Sequence, residues 1–152
     1  RSLRYQRDCA LIMFDIDNFK KINDEYGHLT GDFVLKQLAS RVNEHIRRND
    51  IFARYGGEEF VVLLPEVRKP EAAQLAEKLR RIVEAIPFRF EQVSIDVAVS
   101  AGIADITEYI DVMTEMGIDI ERSEPLPDEL IKIADERLLK AKRSGRNVVV
   151  VD

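Results

Sequence analysis

Two β-rich runs, Ile51 to Tyr55 and Phe60 to Leu64, flank Gly56-Gly57-Glu58-Glu59. Paired glycines between extended runs predict a tight hairpin, because glycine accepts φ > 0. Such a hairpin sets its two strands side by side and antiparallel. Glu58 and Glu59 then stand at the hairpin tip. Carboxylates on a rigid turn add little to packing and suit a divalent cation or a polar ligand. Taken alone, such a turn reads more simply as a solvated acidic surface.

The other segments alternate between strand and helix. Ala10 to Ile16 is an apolar run that ends in Asp15-Ile16-Asp17, as in a buried strand with acid at its end. Phe19 to Tyr26 reads as a short helix stopped by Gly27, and Asp32 to Arg47 as a longer one with Leu35, Leu38, Ala39, Val42 and Ile46 at helical spacing. After the hairpin, Pro65 stops the second strand. Pro70 opens a helix to about Ala85, its inner face Ala72, Leu75, Ala76, Leu79, Ile82, Val83 and Ile86. Phe88 to Val93 and Ile95 to Ala104 read as strands, Asp128 to Ser144 as a helix stopped by Gly145, and Val148 to Val151 as a last short strand. Thr107 to Leu126 reads as a surface excursion, part of which could form a short amphipathic helix. The order β-α-α-β-β-α-β-β-α-β predicts an α/β fold, a central, mostly antiparallel sheet flanked by helices.

At 152 residues, 45% hydrophobic and 34% charged, the chain fits one globular domain, residues 1–152. Its net charge of −5 argues against a broad nucleic-acid face, so an anionic ligand needs metals or a few placed cations. The single cysteine, Cys9, excludes an internal disulfide and fits a cytoplasmic domain. No run reaches membrane-span length, no signal peptide is visible, and the first residue is not Met. The expectation is a piece of a longer parent protein, with a membrane anchor in that parent left open.

The polar residues form a pattern. Asp15 and Asp17, two apart on a strand, share a face. They precede the start of the Phe19 helix, whose open N–H groups suit a phosphate. Asp15 near Glu58 would make a hard oxygen site for Mg²⁺ or Mn²⁺. Asn23 and Asp32, an amide and a carboxylate, can together read a purine edge. Lys142 and Arg146 are four apart, so one helical turn would put two cations on one side, able to grip a triphosphate. Each has a structural alternative: Asp17 as a helix cap, Asn23 as a solvated helix residue, the two cations as partners of a helix dipole. Packing does not account for all of them together.

The words Phe14-Asp15-Ile16-Asp17-Asn18-Phe19-Lys20-Lys21-Ile22-Asn23-Asp24, Tyr26-Gly27-His28, Gly31-Asp32, Ala53-Arg54-Tyr55-Gly56-Gly57-Glu58-Glu59-Phe60, Val99-Ser100-Ala101-Gly102-Ile103-Ala104 and Ala141-Lys142-Arg143-Ser144-Gly145-Arg146-Asn147 run in order along nearly the whole chain. In these words the chain resembles the GGDEF domain of diguanylate cyclases. The resemblance implies the palm-like fold of nucleotidyl cyclases and condensation of two GTP into cyclic di-GMP with loss of two pyrophosphates. It implies that Asp15, the carbonyl of Ile16 and Glu58 hold two Mg²⁺ or Mn²⁺ ions, with Glu59 supporting the site. It implies guanine contacts from Asn23 and Asp32, phosphates along Phe19 and Lys20 and reached by Lys142 and Arg146, and close nucleotide approach at Gly57. One domain holds one GTP, so a second GGDEF domain is the expected partner, paired by an upstream sensory or regulatory part. Arg47-Arg48-Asn49-Asp50, separated from Gly56 by five residues, resembles the family's inhibitory site for cyclic di-GMP at Arg47 and Asp50.

The chain departs from the family pattern at four places. The opening Asp-x-Leu-Thr word is missing. Leu139 and Ala101 stand where tyrosine and isoleucine are usual. The Thr107 to Leu126 stretch is longer than the usual connection. The alternatives are a silent domain that binds GTP or cyclic di-GMP as a receptor, and a cyclase with a mononucleotide product. Silent members usually lose the acids present here.

Overall fold

A computed structural model describes residues 8–118 and 127–152. Five strands form one sheet in the order β2-β3-β1-β6-β7, from β1 (Cys9–Ile16), β2 (Ile51–Arg54), β3 (Glu59–Pro65), β6 (Val99–Asp105) and β7 (Val149–Val150). The β1–β3, β1–β6 and β2–β3 pairs are antiparallel and β6–β7 is parallel, so the sheet is mostly antiparallel, as expected. The helices are α1 (Phe19–Tyr26), α2 (His28–Asn43), α3 (Lys69–Ala85), α4 (Ile106–Glu115) and α5 (Pro127–Arg143).

Central strand β1 is buried on both faces, which explains its unbroken apolar run. Ala10, Ile12, Phe14 and Ile16 join one core cluster with Val34, Leu38 and Val42 of α2 and Ala72, Ala76, Leu79 and Val83 of α3. Leu11 and Met13 join the other with Leu130, Ala134 and Leu138 of α5. Phe14 stacks on Phe60 at 5.5 Å between ring centres, and Phe60 on Phe52 at 5.6 Å, so aromatics tie three strands together.

Helix α5 lies unusually close to the sheet. A Cβ at Gly102 of β6 would come 2.1 Å from the Ala134 carbonyl oxygen and 2.4 Å from the Leu138 nitrogen. Only a residue without a side chain permits that approach.

Several expectations need correction. Helix α2 begins at His28 rather than Asp32 and ends at Asn43. Gly27, at φ 93°, ends α1 and starts α2 without a loop, and Arg47 falls in the turn that follows. Ile86 is exposed rather than on the inner face of α3, and its carbonyl accepts from the buried Arg41 at 2.7 Å. Phe88 to Val93 is not one strand: β4 (Phe88–Phe90) and β5 (Val93–Ile95) form a separate hairpin, with Glu91 at φ 56° in its turn. No glycine marks that turn in the sequence. The β2–β3 hairpin exists, yet neither glycine in it has φ > 0. The loop is longer than a two-residue turn, and Arg54 Nε donates to the carbonyls of Gly56 and Gly57 at 3.1 and 2.9 Å, bracing it from inside.

The stretch read as a surface excursion carries α4, which buries Ile106 and Tyr109. Asp105 and Glu108 cap its start reciprocally, at 3.1 and 3.0 Å. The remainder of that stretch, 119–126, lies outside the described residues. Among the described residues no helix is long and apolar enough to cross a membrane.

Candidate active site

The register of the sheet assembles acid at the C-terminal end of β1. Asp15 lies opposite Glu59 of β3 on one side and Ser100 of β6 on the other. Directly paired residues point to the same face, here the face covered by α5. Lys142, near the end of α5, forms an ion pair with Asp15 Oδ2. The Asp15 side chain is 1% exposed, and its Oδ1 has no hydrogen-bond partner. A buried carboxylate oxygen left unpartnered is costly and marks a place where a ligand would bind. Burial raises the Asp15 carboxyl to about 6; Lys142 opposes the rise, and Asp17 and Glu58 add to it. For Lys142, burial acts downward, but Asp15, Glu59 and Glu58 outweigh it and hold the amine above its ordinary value. Both partners are therefore charged at neutral pH.

Glu58 stands in the hairpin loop, half buried, and its carbonyl accepts from the Ile16 N–H at 3.4 Å. The Ile16 backbone, Asp15 and Glu58 thus come together, as expected. Among the described residues no group of three or more His, Cys, Asp or Glu side chains is placed to hold a metal. The expected set has only two carboxylates and a carbonyl, so such a group is not required. Its hard oxygens and the unpartnered Asp15 Oδ1 fit Mg²⁺ or Mn²⁺.

Helix α1 begins beside this acid. Asn18, at φ 55°, precedes it and offers no side-chain cap, so the first N–H groups of α1 remain open. Phe19 is buried, while Lys20 points to solvent and pairs with Asp24 at 3.1 Å. Among the described residues, Asn23 Oδ1 is the other buried side-chain oxygen without a partner. Its position depends on Gly31 of α2, where a Cβ would fall 1.8 Å from that oxygen. Asp32 follows, exposed on α2. A Cβ at Gly57 would meet nothing within 4 Å, so space is open there.

Arg146 corrects the helical reading of its spacing from Lys142. Helix α5 stops at Arg143, Gly145 takes φ 117°, and Arg146 and Asn147 take φ 66° and 52°. The chain reverses, and the Arg146 N–H donates back to the Ala141 carbonyl at 3.0 Å. Asp17 is not a helix cap either. Its carboxylate accepts from the Ser100 hydroxyl at 2.6 Å and the Asn147 N–H at 2.9 Å.

Arg47 and Asp50 sit apart from all this. Arg47 Nε and Nη2 donate to Asp50 Oδ1 at 3.1 and 2.8 Å, and Nη2 also reaches the Pro65 carbonyl at 2.9 Å. Pro65 and Glu59 are opposite ends of β3, so about 20 Å separates Arg47 from the acidic cluster at a rise of about 3.3 Å per residue.

The model for "Diguanylate cyclase, GGDEF domain" matches residues 1–148. The chain belongs to the GGDEF family of diguanylate cyclase domains. It is 40% identical over 140 residues to the diguanylate cyclase DgcP of Pseudomonas aeruginosa, covering 92% of this chain and 19% of that protein. It is 39% identical over 142 residues to the response regulator PleD of Caulobacter vibrioides, covering 93% of this chain and 28% of that protein. The GGDEF chain thus spans less than a third of the length of these relatives. Among solved structures, the active GGEEF domain of a diguanylate cyclase from Vibrio cholerae matches with a TM-score of 0.80 and 32% identity, over 99% of this chain and 86% of that one. The GGDEF domain of DgcB from Caulobacter crescentus, in complex with c-di-GMP, matches with a TM-score of 0.78 and 30% identity, over 95% and 75%.

Ser100, Asn147 and Gly31 lie within the matching words of this GGDEF domain, but nothing in their residue types signals a role. Ser100 becomes visible only through the β1–β6 register, and Asn147 only through the reversal after α5.

Proposed function

We propose that this GGDEF domain condenses two GTP into cyclic di-GMP and releases two pyrophosphates. The carrying observation is the buried Asp15, whose Oδ1 is unpartnered beside Lys142 and the Glu58 hairpin. Asp15, the Ile16 carbonyl and Glu58 would hold two Mg²⁺ or Mn²⁺ ions. Bound there, such cations lower the pKa of the attacking 3′-hydroxyl and neutralise charge on the leaving pyrophosphate. The α1 N-terminus at Phe19 and Lys20 receives phosphate oxygens, and Lys142 and Arg146 supply positive charge to the triphosphate. Asn23 and Asp32 read the guanine, with Gly57 leaving the hairpin backbone open to the nucleotide. Glu59, opposite Asp15, supports the acidic cluster and keeps Lys142 charged.

Each 3′-hydroxyl must attack the α-phosphorus of the other GTP, so two domains must face each other. In the parent protein an upstream sensory or regulatory part holds them together, at an effective concentration around millimolar. Incubation with GTP and Mg²⁺ tests this reading: mass analysis should find cyclic di-GMP, and specific activity should rise with protein concentration. Binding of GTP without any product would make the domain a silent receptor instead.

Asp32→Ser should narrow the preference for GTP over ATP by about tenfold, because the carboxylate that accepts from guanine N1–H and N2–H₂ is gone. Competition between the two nucleotides measures it, and an unchanged ratio would remove Asp32 from base recognition.

Arg47 and Asp50 form the product site in this reading. Bound so far from the acidic cluster, cyclic di-GMP cannot displace GTP. It acts by cross-linking domains so that their active sites cannot face each other. Arg47→Ala should abolish product inhibition and leave uninhibited turnover within about twofold, since Asp50 keeps its 2.6 Å bond from the backbone N–H of residue 47. Calorimetry showing unchanged product affinity would overturn the assignment.

A further inference from the structure

Two aspartates leave β1 side by side, and they differ in what their oxygens have left to give. Asp15 Oδ1 is unpartnered. Asp17 is only 8% exposed, and both of its oxygens are taken, Oδ1 by the Ser100 hydroxyl at 2.6 Å and Oδ2 by the Asn147 N–H at 2.9 Å. The Asn147 N–H also reaches Ser100 Oγ at 3.0 Å. Asp17 is itself fixed, because its N–H extends the sheet by donating to the Ala98 carbonyl at 2.9 Å.

The other side of Asn147 is held as firmly. Its amide nitrogen donates to Glu84 Oε2 at 2.6 Å, and its amide oxygen accepts from Arg80 Nη1 at 2.9 Å, both on α3. Arg80 is in turn gripped by Glu77 at 2.6 Å. Between this clamp and the end of α5 stands Arg146, at φ 66°. Arginine adopts a left-handed backbone only where its surroundings impose it. The Cα of Arg146 is one peptide, about 3.8 Å, from that of Asn147. The clamp thus fixes where the Arg146 side chain starts.

We infer that Asp17 is a positioning residue for the triphosphate: with Ser100 and Asn147 it holds Arg146 in the conformation that brings its guanidinium to the phosphates. The inference rests on the proposed role of Arg146 in binding GTP. It gives the second aspartate of Asp15-Ile16-Asp17 work other than metal ligation.

The test measures affinity rather than turnover. Calorimetry with Mg²⁺ compares guanosine 5′-[α-thio]triphosphate with GMP on four proteins: unaltered, Asp17→Ala, Arg146→Ala and the double variant. Asp17→Ala should weaken the triphosphate analogue about tenfold, as for loss of a charge-assisted hydrogen bond, and leave GMP within about twofold. The double variant should bind the analogue no worse than Arg146→Ala alone, because the lesions share one route. Ser100→Ala is the milder lesion of the same clamp and should show the same selectivity if Asp17→Ala does not fold. Equal losses for both nucleotides, or losses that add in the double variant, would reduce Asp17 to a structural role and overturn the inference. An unaltered domain that binds GMP but not the analogue would overturn it as well. An unaltered domain that binds neither nucleotide removes the GTP reading and this inference with it.

Discussion

Glu58→Gln should lower turnover at least about a hundredfold and leave the fold intact, as for loss of one strong electrostatic stabiliser. The second half of that expectation comes from the hairpin. Among the described residues none hydrogen-bonds the Glu58 carboxylate; only its backbone carbonyl is used, by the Ile16 N–H. The hairpin is braced by Arg54 on the carbonyls of Gly56 and Gly57, which the substitution does not touch. Glutamine keeps the shape and removes one of the two side-chain charges offered to a hard cation. Steady-state turnover at saturating GTP and Mg²⁺, beside a thermal melt, separates chemistry from folding. Turnover close to that of the unaltered domain would remove Glu58 from the ligand set.

Gly102→Ala should be the most disruptive single-methyl change in the sheet. The added carbon would sit 2.1 and 2.4 Å from backbone atoms of α5, and backbone cannot step aside as a side-chain tip can. Overpacking of this kind costs about 3 kcal/mol, a large part of the roughly 5–15 kcal/mol that holds a domain together. The melting midpoint should drop by about 10 °C at a few degrees per kcal/mol. Helix α5 also carries Lys142, so its displacement should pull the amine from Asp15 and lower turnover in whatever stays folded. A circular-dichroism melt within a degree or so of the parent would mean that α5 slides without cost.

Most of the sheet was legible because its signals are local. The apolar run of β1, Pro70 and the Asp128 to Gly145 frame each mark an element by their own chemistry, whereas the hairpin glycines sit in the right place without the positive φ expected of them. The acidic cluster was legible in its members, since Asp15 and Glu58 lie on a strand end and a turn that the sheet register then brings together. Where the reading failed, the deciding interaction was long-range or used an unusual residue. The β4–β5 turn is made by Glu91 in a left-handed conformation, without the glycine that would announce it. Arg146 is four residues from Lys142, but Gly145 turns the chain back between them, and the place where the chain then runs is held at Asn147 by Asp17 and Ser100, far away in sequence. Helix α4 is a different failure. The spacing of Asp105 and Glu108 is that of a capping box, but the acidity of the segment drew the reading toward a surface loop.

The lysine on Asp15 has a consequence for how the protein can be handled. A domain whose acidic centre lacked a counter-ion of its own would depend on a bound cation to fold, as small metal-folded domains do. Here the chain supplies that charge from α5, so folding should not require a bound cation. Chelators should therefore silence the domain without unfolding it. A melt recorded in excess EDTA should overlay one recorded in plain buffer, and activity should return when Mg²⁺ is restored.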